Sequence, residues 1–384
     1  MSISMDPAIY SELTRVYGSL TEKLLYLMKK PCKRHYLRVN TFVTTRGELL
    51  DILREKYPDY IFEQDPYVDE AIYIVVKGPY KIPLVEKKVV VDWRAAESIM
   101  LGANVYAPGV IDFDDFTEGD EVNIISPGGD VVAYGIAKVS SEKLRYMKKG
   151  VVVETLVSEY KLPPIADMDE YKRGMFYPQS LPAMLVSKIV NPKPGETVLD
   201  CCAAPGGKTS HLIQLSKGLA RIIAVDRSRP KINKLVDTIH RLRLPRNIHV
   251  VLGDSRYLHE DMPYLKPDKI LIDPPCTGLG FRPKITINKT QRDIMNSISY
   301  QKQFINMAKH VLRKGGLLVY STCTITFSEN EGIAMYIRNM GFENIELELP
   351  YCSKVYIDDI VGYRFDPFTH DMNGYFITVF QKTS

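Results

Sequence analysis

Hydrophobic positions along the chain fall into three textures. Over residues 1–30, Leu13, Val16, Leu20, Leu24, Leu27 and Met28 recur at helical spacing with charges between them, which predicts an amphipathic helical run ended by Pro31. Arg38-Val-Asn-Thr41 reads as a short strand, Thr45-Arg-Gly-Glu48 as a capping box opening a helix to about Tyr57, and Ala71 to Val76 as another strand, together a small βαβ-type unit. From about Val89 to Leu162 short β-branched strands alternate with Gly and Pro turns, the texture of a compact barrel. Leu162-Pro-Pro-Ile165 is a stiff connector. Beyond the turn Asn191-Pro-Lys-Pro-Gly195, strand and helix patterns alternate to the C-terminus, the signature of an α/β sheet.

In that last part, four apolar runs end in an acid: Val198-Leu-Asp200, Arg221-Ile-Ile-Ala-Val-Asp226, Val250-Val-Leu-Gly-Asp254 and Lys269-Ile-Leu-Ile-Asp273. A doubly wound sheet binds its ligand outside the carboxyl ends of its strands, so the four acids are expected to line one crevice. The first strand runs into Cys202-Ala203-Ala204-Pro205-Gly206-Gly207-Lys208 and then an apolar-periodic segment. That is a loop where glycines let backbone approach a ligand. It is no phosphate-binding P-loop, since Cys202 stands where that motif needs glycine, and no Gly-x-Gly-x-x-Gly follows. Asp226, about 20 residues on, is placed to bond two ribose hydroxyls. A ribose-bearing cofactor without phosphates, S-adenosyl-L-methionine, is therefore expected. Singly, such acids often only cap the next helix.

Composition narrows the setting. With 384 residues, 45% hydrophobic and 25% charged, the chain suits two or three globular domains. It shows neither a signal-peptide pattern nor an apolar run of spanning length, so no membrane association and a cytoplasmic location are expected. Six scattered cysteines without Cys-x-x-Cys spacing fit neither a disulfide scaffold nor a zinc site, and no metal is expected. A net charge of +4 does not by itself demand a nucleic-acid partner. The barrel segment from Trp93 to Leu162 holds seven Lys and Arg against eleven Asp and Glu, yet gathers Lys143, Arg145, Lys148 and Lys149 in one run. Such a run can form a local phosphate-binding patch, although most are only solvated loops.

Two cysteines sit at strand ends over the crevice: Cys276 in Asp273-Pro-Pro-Cys276, and Cys323 closing Leu317-Leu-Val-Tyr-Ser-Thr-Cys323, before a capping box Ser328-Glu-Asn-Glu331. Free cysteine is usually a small buried hydrophobe, the reading adopted for Cys32 and Cys352. Over a cofactor site a thiol mechanism fits better. Carbon 5 of a pyrimidine is too poor a nucleophile to take a methyl group directly. A thiolate adding to carbon 6 makes it an enamine, provided an acid supports ring nitrogen 3 and a base later removes the carbon 5 proton. Asp273, Cys276 and Cys323 supply those parts.

On these residues the chain resembles the Sun-domain (Nop2/Sun, RsmB-like) family of RNA 5-methylcytosine methyltransferases. The resemblance rests on Cys202 to Lys208, Asp226 with Lys231, Asp254, Asp273-Pro-Pro-Cys276, Ser321-Thr-Cys323 and the closing Arg364-Phe-Asp-Pro-Phe-Thr-His370-Asp-Met-Asn-Gly374-Tyr-Phe376. It implies a Rossmann-like methyltransferase domain in which Cys323 is the nucleophile, Cys276 assists product release, and Lys208 and Asp273 hold and protonate the cytosine. It also implies that the loop from Cys202 to Lys208, with Asp226, Lys231, Asp254 and Asp273, contacts S-adenosylmethionine. Arg38-Val-Asn-Thr41 resembles the family's RRM-like α+β unit, and Gly102-Ala103 with Pro108-Gly109-Val110 resembles a PUA domain, a small RNA-binding barrel.

The expected division is residues 1–91 for the helical and RRM-like unit, 92–162 for the PUA barrel and 163–384 for the catalytic domain. An inserted PUA barrel is similar to the sixth NSUN-type subfamily, which methylates cytosine 72 of the tRNA acceptor stem and grips the acceptor end with the barrel. That resemblance implies tRNA, through its acceptor stem and CCA end, as the partner of a monomeric enzyme. It leaves ribosomal RNA as an alternative substrate, and a non-catalytic RNA-binding protein on the same fold as an alternative class. His240 to Arg246 and Arg282-Pro-Lys284 are further candidates for phosphate contacts.

Overall fold

The computed structural model describes residues 5–383. The first four residues of the expected N-terminal helical run lie outside that range. The rest of the run is broken: helix Pro7–Tyr17 ends at Gly18, whose φ of 52° no helix interior adopts, and a 3-10 turn leads into helix Thr21–Met28. The break turns both apolar faces the same way. Ile9, Leu13, Leu24, Leu25 and Met28 pack on Leu279, Ile287, Ile294 and Ile325, so these helices cover the segments that follow Cys276 and Cys323.

The expected βαβ unit is antiparallel. Strand Arg34–Val39 pairs antiparallel with Ala71–Val75, because a short strand that the pattern did not reveal, Phe62–Gln64, adds one more reversal. Helix Arg46–Lys56 does begin at the Thr45/Glu48 capping box and lays Leu49, Leu50 and Leu53 on the sheet. Strand Phe176–Pro178, beyond the expected boundary at 163, completes this four-stranded sheet against Arg34–Val39. Likewise Lys88–Val91, before the boundary expected at 92, pairs inside the next unit. The six-stranded barrel is thus threaded between two strands of the N-terminal sheet.

The barrel orders its strands Val105–Tyr106, Val151–Ser158, Val131–Ala137, Glu121–Ile125, Lys88–Val91 and Val110–Phe113. Helix Trp93–Ile99, capped by Asp92, contributes Ala96 and Ile99 to its core.

The remaining sheet carries the crevice. Its parallel half runs Ile248–Leu252, Arg221–Asp226, Thr197–Asp200, Lys269–Ile272, Leu317–Thr322. Helices cover both faces, and core clusters lie on either side, which is why central strands such as Ile222 to Val225 are apolar without alternation. Strand order reverses beside Thr197–Asp200, the position where such sheets bind ligands. The expected alternation stops after Leu317–Thr322 and its following helix, Glu331–Asn339. Tyr375–Lys382, Ile360–Phe365 and Ser353–Ile357 extend the sheet antiparallel. No helix among the described residues is long and apolar enough to cross a membrane.

Candidate active site

The organising loop is built by local chemistry. Gly206, at φ 107°, precedes helix Gly207–Leu215, and a Cβ there would lie 2.8 Å from Leu235 Cδ1 and 3.2 Å from Thr238 Cγ2. Only glycine lets the loop pass that close to helix Arg229–Arg241. Ala203 donates its N–H to Val225 O (3.0 Å), tying the loop to the strand that ends in Asp226. Asp200 departs from expectation. It is buried, accepts a bond from Thr209 Oγ1 at 2.7 Å, and burial pushes its pKa up to about 6. It holds the loop from behind, leaving three of the four acids in the crevice.

That crevice is a cavity of about 310 Å³. One end is walled by Cys202, Ala204, Asp226, Lys231 and Asp254, the other by Asp273, Pro274, Cys276, Phe281 and Cys323. Ala203, Pro205, Gly206, Gly207 and Lys208, also expected at the cofactor, shape the loop without walling this cavity. Acceptors at two strand ends beside a glycine-permitted close approach fit the ribose and base of an adenosine. Asp254 is gripped by Arg256 (2.9 and 2.5 Å), whose hydrogen bonds pull its pKa down. Arg227 and Arg256 lie 5.0 and 4.4 Å from the Tyr300 ring. Arg227, next to Asp226, and Tyr300, on helix Gln291–Val311, were not expected there, because the pattern marks only the acid that ends each strand.

At the chemical end, Asp273 is held from three directions. Lys208 Nζ donates at 2.6 Å to one oxygen, and Ser321 Oγ and the Tyr375 hydroxyl donate at 2.8 and 3.0 Å to the other. Burial disfavours the Lys208 charge, but Asp273 and Tyr375 outweigh it and push the ammonium pKa up. Tyr375 comes from the antiparallel strand beside Leu317–Thr322. Nothing local in the sequence marks it as a neighbour of Asp273.

Cys276 and Cys323 stand at the ends of adjacent parallel strands with their Sγ atoms 3.4 Å apart. Contact with Cys323, burial and the nearby charge of Glu329 push the Cys276 thiol up. Burial pushes the Cys202 thiol up likewise and leaves it a poor nucleophile. The expected capping box at Ser328 does not form. Helix Glu331–Asn339 has no side-chain cap, Ser328 Oγ bonds Glu12 at 2.6 Å, and Glu331 pairs with buried Arg364.

Of the other basic candidates, Arg282 is nearly fully buried, donating to Asp371 (2.7 Å) and Leu27 O (3.1 Å). It ties the N-terminal helices to the closing motif and is out of reach of a phosphate. Lys143, Arg145, Lys148 and Lys149 are exposed on the short helix Ser141–Leu144 and the turn after it, Arg145 pairing with Asp115 at 3.4 Å. They do not line the larger hollow of about 750 Å³, which runs between Gly102, Ala103 and Asn104 of the barrel and Lys161 to Asp167.

A glycine loop at the switch point of a parallel sheet, a strand-end acid behind it and an antiparallel closing strand define a Rossmann-like methyltransferase, here joined to a small β-barrel. Comparison with known proteins agrees. Residues 187–381 match the family 16S rRNA methyltransferase RsmB/F, and residues 87–157 match the PUA domain. The tRNA (cytosine(72)-C(5))-methyltransferase of Pyrococcus horikoshii is 36% identical over all of this chain and 99% of its own. The tRNA (cytosine(72)-C(5))-methyltransferase NSUN6 of Homo sapiens is 30% identical over 81% of this chain and 73% of its own. The crystal structure of NSun6 from Pyrococcus horikoshii with SFG, which is sinefungin, superposes with a TM-score of 0.91 at 35% identity, covering 98% of both chains. The chain belongs to the RsmB/F family of RNA cytosine-C5 methyltransferases and carries a PUA domain.

Proposed function

We propose that this enzyme methylates carbon 5 of cytosine 72 in the tRNA acceptor stem, with S-adenosylmethionine as donor. The observation that carries the chemistry is the pair of thiols 3.4 Å apart beside an aspartate fixed by Lys208, Ser321 and Tyr375. The cofactor supplies an electrophilic sulfonium methyl group. Asp226, Asp254 and Lys231, with Cys202 and Ala204 of the loop that Gly206 and Gly207 shape, are the residues that hold it.

The protein's own part begins with the Cys323 thiolate, whose sulfur forms a bond to carbon 6 of the cytosine. The ring electrons move toward nitrogen 3, where Lys208 and Asp273, 2.6 Å apart, hold the base and protonate it as charge develops. Carbon 5, now an enamine carbon, is nucleophilic enough to be methylated. A base then takes the carbon 5 proton, the carbon 6–sulfur bond breaks to release the Cys323 thiolate and the ring regains aromaticity, with Cys276 assisting that elimination.

The choice of tRNA is supported by similarity along the full chain to tRNA (cytosine(72)-C(5))-methyltransferases and by the barrel. In this reading the hollow beside Gly102 and Ala103 receives the acceptor end, and Lys143, Arg145, Lys148 and Lys149 contact phosphates farther along. The strand order of the N-terminal sheet, with Phe176–Pro178 as its last strand, is that of a split β-α-β-β-α-β unit and supports the RRM-like reading. Bisulfite sequencing of total tRNA and rRNA incubated with the protein and S-adenosylmethionine tests the proposal. Conversion-resistant cytosine at tRNA position 72 is expected, whereas protection confined to rRNA would replace the substrate.

A further inference from the structure

We infer that Glu329 is a positioning residue that fixes the two thiols against each other by binding the residue after one and, through it, the residue after the other. Glu329 is fully buried. Its Oε1 accepts from Thr277 N (2.9 Å) and Gln301 Nε2 (3.2 Å), and its Oε2 from Thr277 Oγ1 (2.5 Å) and Thr326 Oγ1 (2.9 Å). Thr277 Oγ1 lies 2.6 Å from Thr324 Oγ1. Thr277 follows Cys276, and Thr324 follows Cys323. The turns that present both sulfurs are therefore closed on one carboxylate, although they come from different strands.

Four donors converge on this carboxylate, which is what keeps a buried charge tolerable. Burial pushes its pKa up while the donors oppose the shift. Its charge lies beside the Cys276 thiol and favours the protonated form there. A protonated Cys276 held at 3.4 Å can donate to the Cys323 sulfur, so the network sets the distance between the two. Of the other titratable groups, Asp273 walls the same cavity, Tyr320 lies near Cys276 and Tyr375 near Cys323. Of these, Tyr320 donates to Glu329 O at 2.8 Å.

The inference rests on the thiol roles proposed above. Its test uses the full-length enzyme with Glu329→Ala, Glu329→Gln and Thr324→Val, measuring kcat and Michaelis constants on tRNA. Glu329→Ala and Thr324→Val should lower kcat about 10- to 100-fold, the cost of a displacement near 1 Å at reacting atoms, with Michaelis constants within about twofold. Thr324→Val retains the carboxylate, so a loss there reports the broken link between the two turns and not the loss of a buried charge. Glu329→Gln can meet the same groups once the Thr277 and Thr326 hydroxyls rotate, and should stay within about fivefold of the native kcat. If Glu329→Ala does not fold, Thr324→Val decides. Unchanged kcat in Thr324→Val, or a loss carried by the Michaelis constant with kcat unmoved, overturns the positioning role. Methylation surviving Cys323→Ala would instead overturn the thiol assignment, so the two failures are separable.

Discussion

Arg38 is among the largest fully buried side chains of the described residues, and its replacement should reach the cofactor loop from another unit of the protein. From the N-terminal sheet its guanidinium donates to Gly207 O and Ser210 Oγ, both at 2.6 Å, and to Gln179 Oε1. All three acceptors are neutral, and burial lowers the Arg38 pKa to about 9. Arg38→Met removes three bonds worth about 1.5–3 kcal/mol each when one partner is charged. It also removes a buried charge whose desolvation costs several kcal/mol. The difference predicts a loss of about 3 kcal/mol in urea unfolding. Because Gly207 opens the helix behind the loop, S-adenosylmethionine affinity should fall about fivefold in calorimetric titration, one hydrogen bond's worth of disorder. Arg38→Lys keeps the charge without the planar fork and should lose nearly as much. A native urea midpoint in Arg38→Met would refute the reasoning, and a native midpoint in Arg38→Lys alone would show that charge suffices.

Three further outcomes follow from the site and the fold. Asp226→Ala should weaken S-adenosylmethionine binding by about 1.5–3 kcal/mol, and unchanged calorimetric affinity would remove Asp226 from the cofactor. Replacing exposed Lys148 and Lys149 should raise the tRNA Michaelis constant and flatten its salt dependence by about one unit of slope per lost phosphate contact; an equal loss on a short cytosine oligonucleotide would count against a positioning role. Burial lowers the pKa of His35 and His211 from 6.5 to about 4, in His211 against the pull of the Glu70 carboxylate 2.8 Å away. The unfolded chain then binds more protons between those values, so stability should fall as pH drops from 6.5 to 4, by up to about 1.4 kcal/mol per pH unit for each histidine. A melting temperature flat across that window contradicts this.

What the sequence revealed is what local chemistry encodes. The strand-end acids, the glycine loop and the two thiols are legible because a parallel sheet aligns consecutive strand ends at one rim, so a residue's place in its own motif predicts its place in space. Asp200 broke the pattern because a threonine nine residues on captured its carboxylate. Ser328-Glu-Asn-Glu331 has the spelling of a capping box, but Glu12, Thr277 and Arg364 offer these side chains partners far away in sequence. Tyr375 reaches Asp273 only because an antiparallel strand returns beside Leu317–Thr322, and Arg38 reaches Gly207 only because one unit docks on another. Such contacts have no periodicity to read. The strand Phe62–Gln64 stayed hidden for a smaller reason, since three residues carry no readable alternation, yet it is what sets Ala71–Val75 antiparallel to Arg34–Val39.

The assignment of Cys323 as the group that adds to carbon 6, with Cys276 needed only for release, is tested most directly by incubating each alanine variant with tRNA and S-adenosylmethionine and separating the products by denaturing electrophoresis. Both variants should lose turnover. Cys276→Ala should run as a covalent protein–RNA adduct stalled before elimination, and Cys323→Ala should run as free protein because no other group starts the reaction. An adduct formed by Cys323→Ala and absent from Cys276→Ala would reverse the two roles.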